Sequence, residues 1–220
     1  MGALPNKLTG FQDVEDDEAR AKFEAAWGCT IPSDNGWNLT QMFEAMELDE
    51  LKAVYCIGEN PADSEADVKH ARAMLERLDV LVVQDVFLTR TAQMADVVLP
   101  AALGWAEADG TVTNSERRVQ RMRAAIPPPR EARQEIGIIN DLAAQMGDED
   151  WGKPTAEELW EELRTVSPMH AGMSWERLDA EGGIQWPCPT EDLPGRPFLH
   201  GRLWERPTGG RLAPFSCVED

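Results

Sequence analysis

The sequence predicts an α/β fold in which a doubly wound, mostly parallel sheet is followed by an irregular C-terminal extension. Three short apolar runs carry this prediction, at residues 53–57, 80–83 and 96–99. The runs lack the polar alternation of half-exposed strands, which indicates strands buried on both faces of a parallel sheet. Residues 65–77 are compatible with a helix and join the first two runs, as a right-handed crossover requires.

Two helices are predicted before the sheet. Residues 13–27 have one apolar side and an acidic first turn, and Gly28 is expected to end this helix. Residues 38–46 carry apolar residues at helical spacing. We therefore expect residues 1–49 to be a helical lead-in from a preceding domain.

The chain changes character after the sheet. An extended segment at residues 111–123 holds the sequence's only basic cluster: Arg117, Arg118, Arg121 and Arg123. Helices follow at residues 132–146 and 155–165, and Thr155 with Glu158 forms a capping box for the second.

Residues 183–220 are expected to be mostly irregular and to pack on something outside this chain. The resulting division is an α/β domain at residues 50–150 and a helical, then irregular, docking extension at residues 151–220.

The composition excludes several classes of partner. Forty acidic residues against 21 basic ones give a formal charge of −19, which repels nucleic acid and anionic membranes. No apolar run reaches the roughly 18 residues that a membrane span needs, so no membrane insertion is expected. Scattered acids with only five Lys beside 16 Arg are typical of a halophilic surface, although an ordinary acidic protein fits equally well. The cytoplasm is the expected compartment, and export of a longer parent protein is left open.

The cysteines and histidines do not form a metal or catalytic motif. Their spacing contains no Cys-x-x-Cys and no grouping typical of a zinc site, an iron–sulfur site or a catalytic triad. These residues are Cys29, Cys56, Cys188, Cys217, His70, His170 and His200. We therefore assign no catalytic residue and no metal ligand in this chain.

Candidate binding residues follow the predicted strands, because ligands of doubly wound sheets bind at the carboxyl ends of the strands. After the first strand, Gly58 permits close backbone approach, and Asn60 and Ser64 offer polar groups. The second strand ends in Gln84 and Asp85, and a carboxylate there can accept the N–H donors of a guanine or a ribose hydroxyl.

The third strand is followed by small residues that leave room for a ligand, beginning with Ala101. Local spacing alone leaves structural explanations open: a turn with a helix cap after the first strand, and a cap for a helix near residues 89–91 after the second.

The residues at these strand ends resemble the molybdopterin oxidoreductase family. The segments that carry the resemblance are Gly-Glu-Asn-Pro at 58–61, Val-Val-Gln-Asp-Val-Phe-Leu-Thr at 82–89 and Ala-Asp-Val-Val-Leu-Pro-Ala at 95–101. The formate dehydrogenase branch is indicated by Glu107, by the segments at 109–111, 113–114 and 116–121, by Gly-Gly-Ile-Gln-Trp-Pro-Cys-Pro at 182–189 and by the opening residues 1–6.

The resemblance implies a cofactor and a set of contact positions. In that family two molybdopterin guanine dinucleotides hold molybdenum or tungsten, and a domain like residues 50–150 binds one guanine dinucleotide arm. By position, the implied contacts are Gly58, Glu59, Asn60, Ser64, Gln84, Asp85, Ala101 and Glu135. Ala101 stands where some relatives have a hydroxyl residue, and Glu135 stands where Asp is usual.

The resemblance also implies that the chain is an internal fragment of a catalytic subunit that oxidises formate to CO2. The cysteine run for the parent's [4Fe-4S] cluster is missing from the sequence, as is a metal-ligating Cys or selenocysteine followed by His. The expected partners are the remaining domains of the same subunit, formate and electron-transfer subunits. The fragment alone is expected to be inactive.

Three alternatives remain beside this interpretation. The chain can be a non-catalytic binding or assembly module of the same fold, or belong to another branch, such as the large iron–sulfur subunit of NADH dehydrogenase. An ordinary NAD-binding domain is disfavoured because Gly-x-Gly-x-x-Gly is missing from the sequence. The choice between molybdenum and tungsten, and the electron acceptor, stay open.

Overall fold

The computed structural model of the chain describes residues 4–148 and 151–199. Its helices are α1 Asp17–Trp27, α2 Leu39–Glu47, α3 Pro61–Ser64, α4 Val68–Leu75, α5 Arg90–Met94, α6 Gly104–Glu107, α7 Glu135–Gln145, α8 Ala156–Val166 and α9 Trp175–Glu181. Its strands are β1 Lys7–Leu8, β2 Gln12–Asp13, β3 Ala53–Ile57, β4 Val80–Asp85, β5 Val97–Pro100, β6 Gly110–Thr113, β7 Arg118–Met122 and β8 Ile184–Gln185.

Helices α1 and α2 precede the central sheet, as predicted. The Asp16 side chain caps α1 by accepting hydrogen bonds from two backbone N–H groups of its first turn, and Gly28 ends it at φ 66°. Helix α1 starts later than predicted because Gln12–Asp13 pairs with Lys7–Leu8 as an antiparallel strand. Helix α2 begins with a reciprocal capping box between Asn38 and Gln41.

Strands β3, β4 and β5 form one parallel sheet in that order. Tyr55 lies opposite Val82, which in turn lies opposite Val97. The predicted α/β class and its parallel sheet are therefore confirmed. The predicted crossover helix at residues 65–77 is α4, Val68–Leu75, which starts later than predicted because the Asp67 side chain accepts a hydrogen bond from the His70 N–H and caps the helix there. The short helix α3 precedes it at Pro61–Ser64.

One face of this sheet is covered by helices. Cys56, Leu81 and Val83 are buried on that face, in a cluster with residues of α2, α4 and α5. The strands are added in one direction, so right-handed crossovers place α3, α4 and α5 on the same side. On the opposite face, Ile57 is 49% exposed and Val80 is 43% exposed.

The segment predicted to be extended at residues 111–123 is an antiparallel hairpin of β6 and β7. Its turn is held by Asn114, whose side-chain oxygen accepts hydrogen bonds from the N–H groups of Glu116 and Arg118 at 3.1 and 2.9 Å. Arg117 adopts φ 66° in this turn. Strand β8 then pairs with β7 to complete a three-stranded antiparallel sheet.

The prediction that residues 183–220 pack on something outside this chain is wrong for residues 184–188, which pack within the chain. Ile184, Trp186 and Cys188 are buried in a cluster with Val119 of β7 and Trp160 of α8. The strand of this segment has only two residues, so its sequence shows no periodicity. Residues 200–220 lie outside the described residues.

The basic cluster holds this extension in place. Arg121 and Arg123 both pair with Asp179 of α9, at 3.0 and 2.6 Å. Arg117 donates hydrogen bonds to the backbone carbonyls of Trp186 and Arg196, at 3.1 and 2.9 Å. Arg118 donates to the Gly183 carbonyl at 3.2 Å. All four predicted basic residues therefore tie the hairpin to residues 175–196.

The remaining predicted helices are confirmed with shifted ends. Helix α7 spans Glu135–Gln145, and Gly147 follows it at φ 86°. Helix α8 begins at the predicted capping box, in which Thr155 and Glu158 exchange hydrogen bonds. Within residues 4–148 and 151–199, no helix has the length and apolar character needed to cross a lipid bilayer. The domain boundaries at residues 49 and 150 stay a prediction.

Candidate functional site

The predicted site residues follow strands whose carboxyl ends lie side by side. The Gly58 N–H donates to the Gln84 carbonyl at 2.9 Å, and the Ala101 N–H donates to the Asp85 carbonyl at 3.1 Å. Arg133 extends this row through a parallel bridge to Ala101. We call this edge, from Gly58 through Gln84 and Asp85 to Ala101, the carboxyl edge.

Glu135 begins α7, two residues after the bridge that joins Arg133 to the carboxyl edge. It is half-buried in the first turn, where the helix dipole favours a carboxylate. The preceding residue, Gln134, donates a side-chain hydrogen bond to the backbone carbonyl of Glu107 at 3.0 Å. This contact fixes the start of α7 against the end of α6.

Gly58 leaves open space at the carboxyl edge. It adopts φ 64°, a conformation that L side chains rarely take, and a Cβ placed there would meet no atom within 4 Å. A ligand can therefore approach the backbone closely at this point.

The thiol of Cys56 lies beside the carboxyl edge and is inert. Burial raises its pKa; a hydrogen bond from the backbone of Glu59 partly opposes this, and the nearby carboxylates of Glu59 and Asp85 raise the pKa further. The thiol therefore stays protonated at neutral pH.

Asn60 has a structural role between α3 and α5. Its side-chain oxygen accepts hydrogen bonds from the backbone N–H and the hydroxyl of Thr91, at 3.2 and 2.8 Å, and its amide donates to Asp63 at 3.1 Å. The Asn60 side chain makes no helix-cap bond to α3. Ser64 is exposed at the end of α3, with its backbone N–H bonded to the Asn60 carbonyl.

Asp85 forms a turn and does not cap a helix. Its Oδ1 accepts the Phe87 N–H at 2.9 Å, and the cap of α5 is Thr89, whose hydroxyl accepts the Ala92 N–H at 3.1 Å. The helix-cap explanation for Asp85 is therefore wrong. The second carboxylate oxygen accepts no hydrogen bond from any described residue, so it is available to N–H or O–H donors of a ligand.

Gln84 is the most unusual polar residue of the carboxyl edge. Its side chain is 1% exposed, and the hydroxyl of Tyr55 donates a hydrogen bond to Oε1. Its Nε2 finds no hydrogen-bond acceptor among the described residues. A buried donor without a partner costs about 1–3 kcal/mol, so this amide is expected to have an acceptor in the working protein.

Sequence reasoning missed two polar residues that organise the carboxyl edge. Thr91 is fully buried, and its hydroxyl also accepts the Ala62 N–H at 3.0 Å, which joins α3 to α5. Tyr55 is the single tyrosine of the chain and stands inside an apolar strand. A single hydroxyl in an apolar strand indicates a polar residue with a specific role. Its hydrogen-bond partner cannot be predicted from the sequence, because the partner depends on the strand register.

The described residues hold no group of three or more His, Cys, Asp or Glu side chains suited to a metal ion. His170 lies away from the carboxyl edge, and its Nδ1 is 2.7 Å from the Ser167 hydroxyl. Cys217 and His200 lie outside the described residues.

Comparisons with known proteins show which family and which relatives the chain resembles. A family model described as molybdopterin oxidoreductase matches residues 5–145. The alpha subunit of F420-dependent formate dehydrogenase 2 from Methanococcus maripaludis is 45% identical over 223 residues, an alignment that covers 100% of this chain and 32% of that protein. The alpha subunit of F420-dependent formate dehydrogenase from Methanocaldococcus jannaschii is 45% identical over 221 residues, with the same two coverages.

A solved structure of acetylene hydratase from Pelobacter acetylenicus superposes with a TM-score of 0.54 and 26% identity, over 76% of this chain and 23% of that one. The chain thus spans about a third of the length of the curated relatives it matches.

Proposed function

Because the chain belongs to the molybdopterin oxidoreductase family, we propose that residues 50–150 bind one guanine dinucleotide arm of a bis(molybdopterin guanine dinucleotide) cofactor. The cofactor carries molybdenum or tungsten, and the parent protein is the alpha subunit of a formate dehydrogenase that oxidises formate to CO2. The relatives named as formate dehydrogenases support the choice of reaction. The observation that carries the binding role is the buried Gln84 amide without an acceptor.

The residues of the carboxyl edge fit such a cofactor. Gly58 offers open backbone, and the Gln84 Nε2 offers a donor for an acceptor atom of the dinucleotide. Asp85 offers a free carboxylate oxygen for guanine N–H groups or a ribose hydroxyl. Glu59, Asn60, Ser64, Ala101 and Glu135 complete the proposed set, with Asn60 acting by holding α3 against α5.

When bound, the cofactor supplies the redox chemistry, and the side chains of this chain bind and orient it. We assign no proton transfer to any described residue. Electrons are expected to leave through a [4Fe-4S] cluster in the rest of the parent protein and through electron-transfer subunits.

The remaining domains of the same subunit are the first partners of this chain. The uncovered sheet face exposes Ile57 and Val80, and the turn after Asp85 exposes Phe87 and Leu88. Parallel sheets are normally covered on both faces, so these apolar surfaces support a position inside a larger subunit.

The variant Asp85→Asn in the full-length subunit tests the binding role. An asparagine oxygen can still accept the Phe87 N–H, so the turn is kept, but the second acceptor becomes a donor. Leaving ligand donors unpaired costs about 1–3 kcal/mol, so cofactor affinity is expected to fall roughly five- to 150-fold. Metal and guanine nucleotide content after gel filtration, together with the melting temperature, measure the effect.

Asp96→Ala is the matched control. Asp96 accepts the Leu81 N–H at 2.7 Å at the opposite end of the sheet, so its loss should lower the melting temperature without changing the cofactor content. A full cofactor content in Asp85→Asn, with a melting temperature lowered as in Asp96→Ala, would leave Asp85 with a structural role only.

A further inference from the structure

We propose that Tyr55 is a positioning residue whose hydroxyl fixes the side-chain amide of Gln84, so that Nε2 is presented as a donor to the cofactor. This inference rests on the proposed function and assigns a role to a residue outside the predicted contact set. Tyr55 acts through Gln84 and is not itself a cofactor contact.

The strand register brings the two side chains together. Tyr55 lies opposite Val82, and Gln84 is two residues further along β4 on the same face. Diagonal neighbours on one face of a sheet are within reach of aromatic side chains, and here the Tyr55 hydroxyl donates to Gln84 Oε1. Burial raises the pKa of Tyr55, so the hydroxyl keeps its proton throughout the neutral range.

This hydrogen bond decides which end of the amide faces a ligand. A glutamine amide has an acceptor end and a donor end, and a free amide can turn to present either. The Tyr55 hydroxyl occupies Oε1, which leaves the two N–H groups of Nε2. The selected ligand atom is therefore an acceptor, such as a carbonyl oxygen, a ring nitrogen or a phosphate oxygen.

A purely structural role explains this arrangement poorly. The backbone carbonyls of Gln84 and Asp85 already accept the N–H groups of Gly58 and Ala101, so the adjoining ladder is complete without the Gln84 side chain. Burial of an unpaired Nε2 destabilises the fold. The arrangement becomes favourable when an acceptor from outside the described residues meets Nε2.

The test uses Tyr55→Phe, Gln84→Glu and the double variant in the full-length subunit. Gln84→Glu can still accept from the Tyr55 hydroxyl but has no donor. We expect the cofactor to dissociate roughly tenfold faster from each single variant than from the unchanged protein. A tenfold change corresponds to about 1.4 kcal/mol. The double variant should match Gln84→Glu alone, because Tyr55 acts only through the amide. Guanine nucleotide and metal contents after timed dialysis give the readout.

Val82→Ala is the matched control, because Val82 lies opposite Tyr55 on the same face and has no polar side-chain atom. It should lower the melting temperature of the cofactor-free protein and leave the rate of cofactor loss unchanged. If Val82→Ala loses cofactor as readily as Tyr55→Phe, general packing explains both and the positioning role is overturned.

The outcomes separate this inference from the proposed function. Retention of cofactor by Tyr55→Phe, with loss in Gln84→Glu and Asp85→Asn, overturns the role of Tyr55 alone. Retention in all three variants overturns the proposed function as well. A Tyr55→Phe effect of equal size in the Gln84→Glu background would show that Tyr55 acts independently of the amide.

Discussion

At the scale of single residues, His170 shows how burial sets a protonation state. Its ring stands between Trp160 and Trp186, with centroids 5.8 and 6.3 Å away, and Ser167 bonds to its Nδ1. Burial lowers the His170 pKa from 6.5 to about 4. Lys7, a cation, lines the same cavity and adds no stabilisation of the imidazolium. The folded chain therefore contains a neutral imidazole.

This protonation state predicts a loss of stability in mild acid. Below pH 6.5 the His170 side chain is protonated in the unfolded chain, whereas in the folded chain it stays neutral down to about pH 4. The free energy of unfolding is therefore highest above pH 6.5 and decreases as the pH falls toward 4. The contribution is at most about 3 kcal/mol. His170→Asn keeps a polar group near Ser167 and should flatten this part of the profile, measured as the urea midpoint from pH 7 to 4. Identical profiles for the two proteins would contradict the prediction.

At the scale of elements, Arg121 and Arg123 form a matched pair that links β7 to α9. Both bind Asp179, but the Arg121 side chain is 10% exposed and lies 3.3 Å from the centroid of the Trp175 ring, whereas Arg123 is 61% exposed. A desolvated cation over an indole contributes about 2 kcal/mol, while exposed ion pairs contribute about 0–1 kcal/mol.

We therefore expect Arg121→Gln to destabilise the chain by about 2–3 kcal/mol and Arg123→Gln by less than about 1 kcal/mol. Urea unfolding followed by tryptophan fluorescence measures both. Equal losses would mean that the Trp175 contact adds nothing to the pairing with Asp179.

The same elements show how far the sequence predicts the fold. The parallel sheet follows from apolar runs such as residues 80–83, because only strands covered on both faces dispense with polar alternation. The pairing of β7 with β8 does not follow, since it joins residues 118–119 to 184–185 through a strand of two residues. At the site, glycine and carboxylate positions mark the strand ends, but the bond between Tyr55 and Gln84 depends on strand register.

At the scale of the whole molecule, charge opposes compactness. The formal charge is −19, and residues such as Glu44, Glu47 and Glu50 are exposed in or just after α2 with no ion pair among the described residues. Two of these acids stand in the last turn of α2, where the helix dipole disfavours negative charge. Self-repulsion of this kind weakens the folded state, and dissolved salt reduces it.

Added salt is therefore expected to stabilise the chain by screening. The screening length falls from about 10 Å at 0.1 M to about 3 Å at 1 M, which is shorter than most separations between surface charges. Raising KCl over this range should raise the melting temperature by about 2–4 °C, the shift that about 1 kcal/mol gives in a chain of about 150–250 residues. The triple variant Glu44→Gln, Glu47→Gln, Glu50→Gln should start from a higher melting temperature at 0.1 M and gain less, because fewer repulsions remain to be screened. Sucrose is the control, because it favours burial of the protein surface without screening charge. It should raise the melting temperatures of both proteins by the same amount. If KCl raised the melting temperatures of the unchanged chain and of the triple variant equally, these three acids would not contribute to the repulsion.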